Sequence, residues 1–422
     1  MRLIIFEDSK VGQLFPVALT RAVFELKTGI TSLEDKIKRA IPASATSYFV
    51  RDYIEPTFKK RHPGDSVNDI SSIKSDDIIA VNGRCLFIES AGKPFDTEGW
   101  MEKDGELVYA KLDKKTAGSF SGSTFTDFKE FVKAKTKKIE TGNVATINYP
   151  WDLINNNPKA ITDDFKKLGL SGINGSFAKE SAIYGPKELV YIGAGAEVHP
   201  FVCLDTRGGP VIIDEGAEIH PFTRIEGPSY IGKKTMVLGA KIREGCSIGP
   251  VCRIGGEVEE SIFHAYSNKF HDGFIGHAYV GEWINLGALT TNSDLKNDYG
   301  NVSVIINGRL IDSGSTKVGA FIGDHTKTSI NTMINTGTHI GALCLVLAGG
   351  LVLPKYLPTG SWYINNCVTK GFGFKKLIGT AQVAMSRRKV AFTPEDEALL
   401  KTIHDMAKTD REFLIAKGQF TG

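Results

Sequence analysis

Three histidines, His264, His271 and His277, follow one another at intervals of seven and six residues. An imidazole titrating near pH 6.5 can take a proton from an amine at neutral pH, and three imidazoles brought to one point suit Zn²⁺. Around them stand two cations, Arg253 and Lys269, the amide of Asn285, and the thiol of Cys252. An amide both donates to and accepts from hydroxyl groups, and cations hold anionic ligands. Far upstream, Arg21 and Lys27 lie close together, and Asn82-Gly83-Arg84 follows the apolar run Ile78–Val81. These groups do chemistry only if the chain between them brings them into place.

The elements that would do so announce themselves through a beat of six. Aliphatic residues recur at Ile192, Val198 and Leu204, then at Ile213, Ile219, Ile225, Ile231 and Val237, and again at Ile242, Ile248 and Ile254. The beat returns at Ile322, Thr328, Ile334, Ile340, Val346 and Val352, often with Gly after the aliphatic residue, as in Ile231-Gly232 and Ile248-Gly249. Neither a helix nor an ordinary strand has this period; a hexapeptide β-solenoid does. Each aliphatic residue points into a narrow prism, and glycine is expected to supply unusual φ at tight corners. One coil cannot bury its own face, so coils stack. The solenoid is placed over residues 183–365. Its beat breaks between about Asp294 and Lys317, where Asn307-Gly308 between two apolar runs predicts a hairpin arm.

Before the solenoid, residues 1–180 read as an α/β domain. Leu3–Phe6, Ser47–Val50 and Ile78–Val81 are strand-like, and a helix is expected from Thr31, whose spacing to Glu34 is that of a capping box. Alternating strands and helices predict a partly parallel sheet with ligands at the carboxyl ends of its strands, which directs attention to the loop after Phe6 and to Asn82-Gly83-Arg84. Trp151–Phe165 reads as a helix, Ser171–Ser176 as a hinge, and residues 366–422 as a tail with a helix starting at Thr393-Pro394. Net charge is +3, from 51 basic and 48 acidic residues without a like-charge block, so a nucleic-acid footprint is missing. The first residues carry too short an apolar run for a secretory signal, and no apolar stretch is long enough to span a bilayer; a cytoplasmic protein is expected. The six cysteines have no CxxC spacing and read as reduced packing residues.

The stretches Ser267–Gly276, Gly281–Ala288, Thr290–Gly300 and Gly323–Thr332, with Leu19–Gly29 near the start, resemble the bifunctional N-acetylglucosamine-1-phosphate uridyltransferase and glucosamine-1-phosphate acetyltransferase family, in its divergent bacterial branch. The resemblance implies a Rossmann-like nucleotidyltransferase domain followed by a left-handed parallel β-helix that trimerises. It further implies acetyl-CoA in grooves between neighbouring prisms, with Asn292, Tyr299 and Ser329 along the groove, and a sugar-phosphate amine as acceptor. His271 occupies the motif position of the family's general base, and Asn285 that of its substrate-binding Asn. Phe274 stands where the family has Tyr, removing a hydroxyl from the acceptor's surroundings. The family's phosphate-gripping cations have no residue-by-residue match; Arg253 and Lys269 are the nearest candidates. In the first domain Arg21 and Lys27 match nucleotide-binding positions, while the glycines of the phosphate loop are absent. Mg²⁺ and UTP are implied if this half transfers a nucleotidyl group, yet no acid occupies 82–84, where a hard cation would want one.

Two other readings stay open. One is a zinc enzyme of the γ-carbonic-anhydrase type, if His264, His271 and His277 converge. The other is a trimeric scaffold that senses nucleotide sugars without turnover. A relay in which Cys252 first takes the acetyl group is a lesser variant of the transferase. Within the transferase reading itself, no metal ligand is assigned.

Overall fold

The computed structural model describes residues 1–74, 76–89, 98–139 and 144–419. They divide into two compact units: one of residues 1–14, 21–27 and 31–148, the other of residues 15–20, 28–30 and those after 148.

The first unit is built on a six-stranded mixed sheet. Its strands are β1 (Arg2–Phe6), β2 (Ala45–Phe49), β3 (Ser66–Val67), β4 (Ile78–Asn82), β5 (Gly99–Lys103) and β6 (Glu106–Leu112), in the order β3-β2-β1-β4-β6-β5. The first four are parallel, and β6 and β5 run antiparallel. Leu3–Phe6 and Ile78–Val81 are buried on both faces, as a central parallel strand demands. Helices α1 (Leu33–Ala40), α2 (Glu55–Arg61), α3 (Lys114–Gly118) and α4 (Phe125–Lys135) accompany the sheet. The α1 cap lies one residue beyond expectation: Ser32 and Asp35 close the capping box. Thr31 instead accepts from Lys36 and Arg39, and Glu34 accepts from the Tyr48 hydroxyl at 2.6 Å.

The second unit opens with α5 (Pro150–Lys167), whose Ile161 and Phe165 pack against Ile212 and Tyr230. A three-sided parallel β-helix follows. One side stacks Val190–Ile192, Val211–Ile213, Ser229–Ile231, Cys246–Ile248, Ile262–Ala265, Tyr279–Glu282, Phe321–Ile322 and His339–Ile340, every neighbouring pair parallel. The inward aliphatic residues, from Ile192 to Val346, form one continuous core. Burying each contributes about 1.5–3 kcal/mol, so the stack, and no single coil, stabilises the unit. Val352 breaks the beat, being 51% exposed while Leu353 takes the inward place.

The corners follow the expected rule only in part. Gly193 and Gly232 do not have positive φ; a Cβ on either would lie 2.7 Å from backbone of the next coil, so they are there for close approach. The left-handed corner positions are shared between other glycines, such as Gly195 (φ 68°), Gly216 (64°) and Gly245 (74°), and side-chain-bearing residues, among them Phe222 (64°), Val251 (60°), Trp283 (60°) and Leu343 (58°). The small polar run read as a hinge is strand-paired: Gly172–Ile173 pairs with Tyr191–Ile192 and Ser176–Phe177 with Glu197–Val198. The hairpin arm forms as its Asn-Gly turn predicts, Ser303–Ile306 against Arg309–Asp312, with Asn307 and Gly308 both at positive φ. After Cys367–Thr369 folds back on Trp362–Ile364, the tail forms α6 (Gly373–Ser386), α7 (Pro394–Met406) and α8 (Lys408–Gln419). α7 starts at Thr393 with Pro394 in its first turn.

Candidate active site

Parallel coils in register stack equivalent side chains, and one outward column collects polar groups. Arg253 pairs with Asn268, Asn268 with Asn285, and Asn285 with Lys327, one coil apart at each step. Asn268 Nδ2 donates to Asn285 Oδ1 at 2.7 Å, which orients the exposed Asn285 amide. Lys327 Nζ donates to the Trp283 and His325 carbonyls at 2.7 and 2.8 Å, and burial pushes its ammonium down to about 7. Beside the column Tyr266 stacks on Trp283 at 4.2 Å. Helix α6 and the residues after it supply Thr380, Arg387 and Arg388, enclosing with Asn268, Asn285 and Lys327 of the column, but not Arg253, a cavity of about 280 Å³. Arg253 is held below the usual arginine range by burial and then by the charge of Arg388. Cations converging on paired amides and an aromatic wall suit a small anion bearing hydroxyl groups.

His271 lies just past this face, two residues beyond the inward Lys269. It is exposed, and its ring meets Phe270 edge-on at 5.2 Å. Lys269 is not a rim cation. It occupies the inward station in register with Ile254, 2% exposed, and its Nζ donates to the carbonyls of Gly255 (2.7 Å) and His271 (3.0 Å). Burial pushes its ammonium down to about 8. Lys269 thus fixes the His271 backbone instead of reaching a ligand. Phe274 is half-buried, on the next side of the coil, where its amide donates to Thr291 Oγ1 at 3.4 Å.

The three residues expected along an acetyl-CoA groove are placed unequally. Asn292 is buried: its amide accepts from the Gly276 N–H and donates to the Gly276 and Ser293 carbonyls, so it locks coils together. Ser329 Oγ lies 3.3 Å from the Thr332 hydroxyl and accepts from the Ala348 amide. Tyr299 is 73% exposed, on the loop whose Leu295–Asp298 wall a groove of about 640 Å³ with Asn335 and Lys355 opposite. Burial and the nearby Lys296 hold Lys355 below the usual lysine range, so two cations share this groove. Sequence reasoning missed Lys327, Arg387, Arg388, Lys296 and Lys355; of these, only Lys327 and Lys296 fall in the motif stretches.

The three histidines do not converge. His264 Nδ1 pairs with the Tyr279 hydroxyl at 3.0 Å, and His277 Nδ1 with Asp294 at 2.8 Å. Among the described residues no group of three or more metal-competent side chains includes any of them. Cys252 is fully buried with Sγ directed at the Pro250 carbonyl, which removes it from any exposed acyl donor. All six cysteines are free, and burial pushes the Cys85 and Cys344 thiols up to about 12.

In the first unit, the carboxyl ends of β1 and β4 carry a closed polar network. Arg84 Nε lies 3.0 Å from both Asp8 oxygens, its Nη2 2.5 Å from Oδ2, and Asn82 Nδ2 donates to Oδ2 at 2.7 Å. Glu7 is paired with Arg51 at 2.9 Å, and Arg51 also donates to the Arg21 carbonyl. Arg21 is 5% exposed, and Lys27 is half-buried and bridges to Ser32. A hard cation needs free carboxylate oxygens. Here both Asp8 oxygens face a guanidinium, so the residues as arranged do not fit Mg²⁺.

Residues 3–171 match a family model described as "Sugar nucleotidyl transferase". The chain is 39% identical over 155 residues to a bifunctional sugar-1-phosphate nucleotidylyltransferase/acetyltransferase of Sulfurisphaera tokodaii, covering 34% of this chain and 37% of that protein. It is 26% identical over 173 residues to the bifunctional protein GlmU of Heliobacterium modesticaldum, covering 36% and 37%, and 33% identical over 96 residues to that of Methanocaldococcus jannaschii, covering 23% of each. The chain thus aligns with 23–37% of the length of these curated relatives. A crystal structure of UDP-N-acetylglucosamine acyltransferase aligns at 16% identity and a TM-score of 0.25, over 55% of this chain and 87% of that one.

Proposed function

We propose that this chain is a sugar-phosphate transferase whose β-helix moves an acetyl group from acetyl-CoA to the amine of an amino-sugar phosphate, glucosamine-1-phosphate or a close relative. The observation that carries the reading is the outward column Arg253–Asn268–Asn285–Lys327 with Arg387 and Arg388 facing it. Arg387 and Arg388 take the phosphate, the paired amides take ring hydroxyls, and Trp283 and Tyr266 flank the sugar, while Lys327, held on two backbone carbonyls, shapes the floor. The amine nitrogen attacks the thioester carbonyl: a C–N bond forms, the C–S bond breaks, the CoA thiolate leaves, and the ammonium proton passes to His271. Such general-base help is worth about 10²–10⁴-fold, and the rest comes from holding the two reactants together. The groove with Lys296 and Lys355 suits the phosphates of acetyl-CoA, and the exposure of His271 suits a site completed by a neighbouring subunit of a trimer.

The match to a nucleotidyl transferase model supports a second activity in the first unit, uridylyl transfer from UTP to the acetylated product. We derive no step for it, because Asp8 is engaged by Arg84. The free thiols fit a reducing, cytoplasmic setting. Steady-state kinetics test the acetyl-transfer reading. His271→Ala should lower kcat at least about 10²-fold, and Asn285→Ala and Arg388→Ala should chiefly raise KM for the amino-sugar phosphate. An unchanged kcat in His271→Ala would remove the base assignment; unchanged KM in both other variants would remove the column as the acceptor site.

A further inference from the structure

Two consecutive coils of the β-helix repeat one pattern, Glu197-Val198-His199-Pro200-Phe201 and Glu218-Ile219-His220-Pro221-Phe222. Parallel register sets Glu197 directly against Glu218, and the two imidazoles stack at 5.0 Å with their planes 7° apart. Like charges facing one another across a ladder are destabilising unless something lies between them. Glu218 Oε1 sits between two ring nitrogens, 3.1 Å from His199 Nε2 and 3.3 Å from His220 Nε2; Glu197 Oε2 is 3.8 Å from His199 Nε2. The donor atoms of Glu197, His199 and Glu218 all fall within 4.8 Å of one another. His220 Nε2 is shut off from solvent and makes no hydrogen bond despite its closeness to Glu218.

We propose that Glu197, His199, Glu218 and His220 form a binding site for a borderline divalent transition metal of the Zn²⁺ class. Donors about 2.1 Å from a tetrahedral ion lie roughly 3.4 Å apart, close to the His199–Glu218, His220–Glu218 and Glu197–His199 separations; His220 stands outside the group of three whose donor atoms all lie within 4.8 Å and would turn toward the ion as the fourth ligand. Two imidazoles with two carboxylates suit Zn²⁺, whereas Mg²⁺ and Ca²⁺ take all-oxygen shells. The ion would satisfy His220 Nε2 and neutralise the facing carboxylates. The side chains are partly exposed, which leaves an open route for the ion. The site continues the same ladder two coils before Arg253, Glu218 pairing with Met236 and Met236 with Arg253, and none of its four residues lines the cavity beside Asn285.

The test is calorimetric titration of the chelator-stripped, full-length protein with zinc chloride alone, with Co²⁺ substitution read by its visible ligand-field bands. One Zn²⁺ per chain is expected, weakened at least about 10-fold in His199→Ala, His220→Ala and the conservative Glu218→Gln, with the bands of four-coordinate Co²⁺ in the parent only. Acetyl-transfer activity should be unchanged in His199→Ala and His220→Ala, and the metal-free melting temperature in all three variants, which separates ligand loss from misfolding. Absence of binding, binding equal in all three variants, or binding lost in His277→Ala instead would overturn the proposal.

Discussion

Lys269 occupies a station where the beat of six places aliphatic side chains, and its neighbourhood shows why. Its ammonium ties the Gly255 and His271 carbonyls at a corner, and burial pushes its pKa down to about 8. Between that value and the ordinary 10.4 the unfolded chain binds a proton that the folded one does not, so its contribution to stability rises with pH across that window. Compared with Lys269→Met, the parent should gain stability between pH 8 and pH 10, at most about 1.4 kcal/mol per pH unit, as urea unfolding at the two ends would show. A difference that stays constant with pH would mean that the lysine is not buried as a cation. This inward lysine was not legible in the sequence, where Lys269 reads as a candidate phosphate-binding cation beside His271. Asp8 was equally silent. The strand-end loop after Phe6 could be picked out, but its pairing with Arg84 joins residues that only the sheet brings together.

The β-helix was legible as an element because one physical demand, an apolar residue facing the prism from each side, repeats at every coil. Its corners were misread because glycine answers two demands, left-handed φ and close approach, and sequence does not say which. The first coil was misread as a hinge for a related reason: Gly172, Asn174 and Ser176 carry no aliphatic beat, yet the segment is held by backbone pairing and by Phe177 packing against the core. Removing an inward side chain tests how the stack is stabilised. Ile231 is fully buried, with neighbours on both adjacent coils, so Ile231→Ala should cost about 2–5 kcal/mol, measured as a lower urea midpoint at unchanged slope. A cost below about 1 kcal/mol would mean that the coils do not depend on one another's burial. The polar column was half legible: Arg253 and Asn285 were singled out separately, but their shared column, with Lys327 on it, depends on a register that the insertion at 294–317 hides.

At the scale of the whole chain, two units carry separate lines of support. The first unit falls within the stretch that matches a nucleotidyl transferase model, while its strand-end carboxylate is tied to an arginine. The second carries the column, the exposed His271 and a groove with two lysines. No described helix is long and apolar enough to cross a membrane. Acetyl transfer is the activity proposed for the second unit; at the strand ends of the first unit Asp8 is engaged by Arg84 and offers no site for Mg²⁺. The most direct measurement is mass-spectrometric product detection from acetyl-CoA, glucosamine-1-phosphate, UTP and Mg²⁺, omitting each in turn. The account predicts N-acetylglucosamine-1-phosphate whenever acetyl-CoA and the amino sugar are both present, with or without UTP and Mg²⁺. No acetylated sugar under any combination, also when other amino-sugar phosphates replace the first, would contradict it.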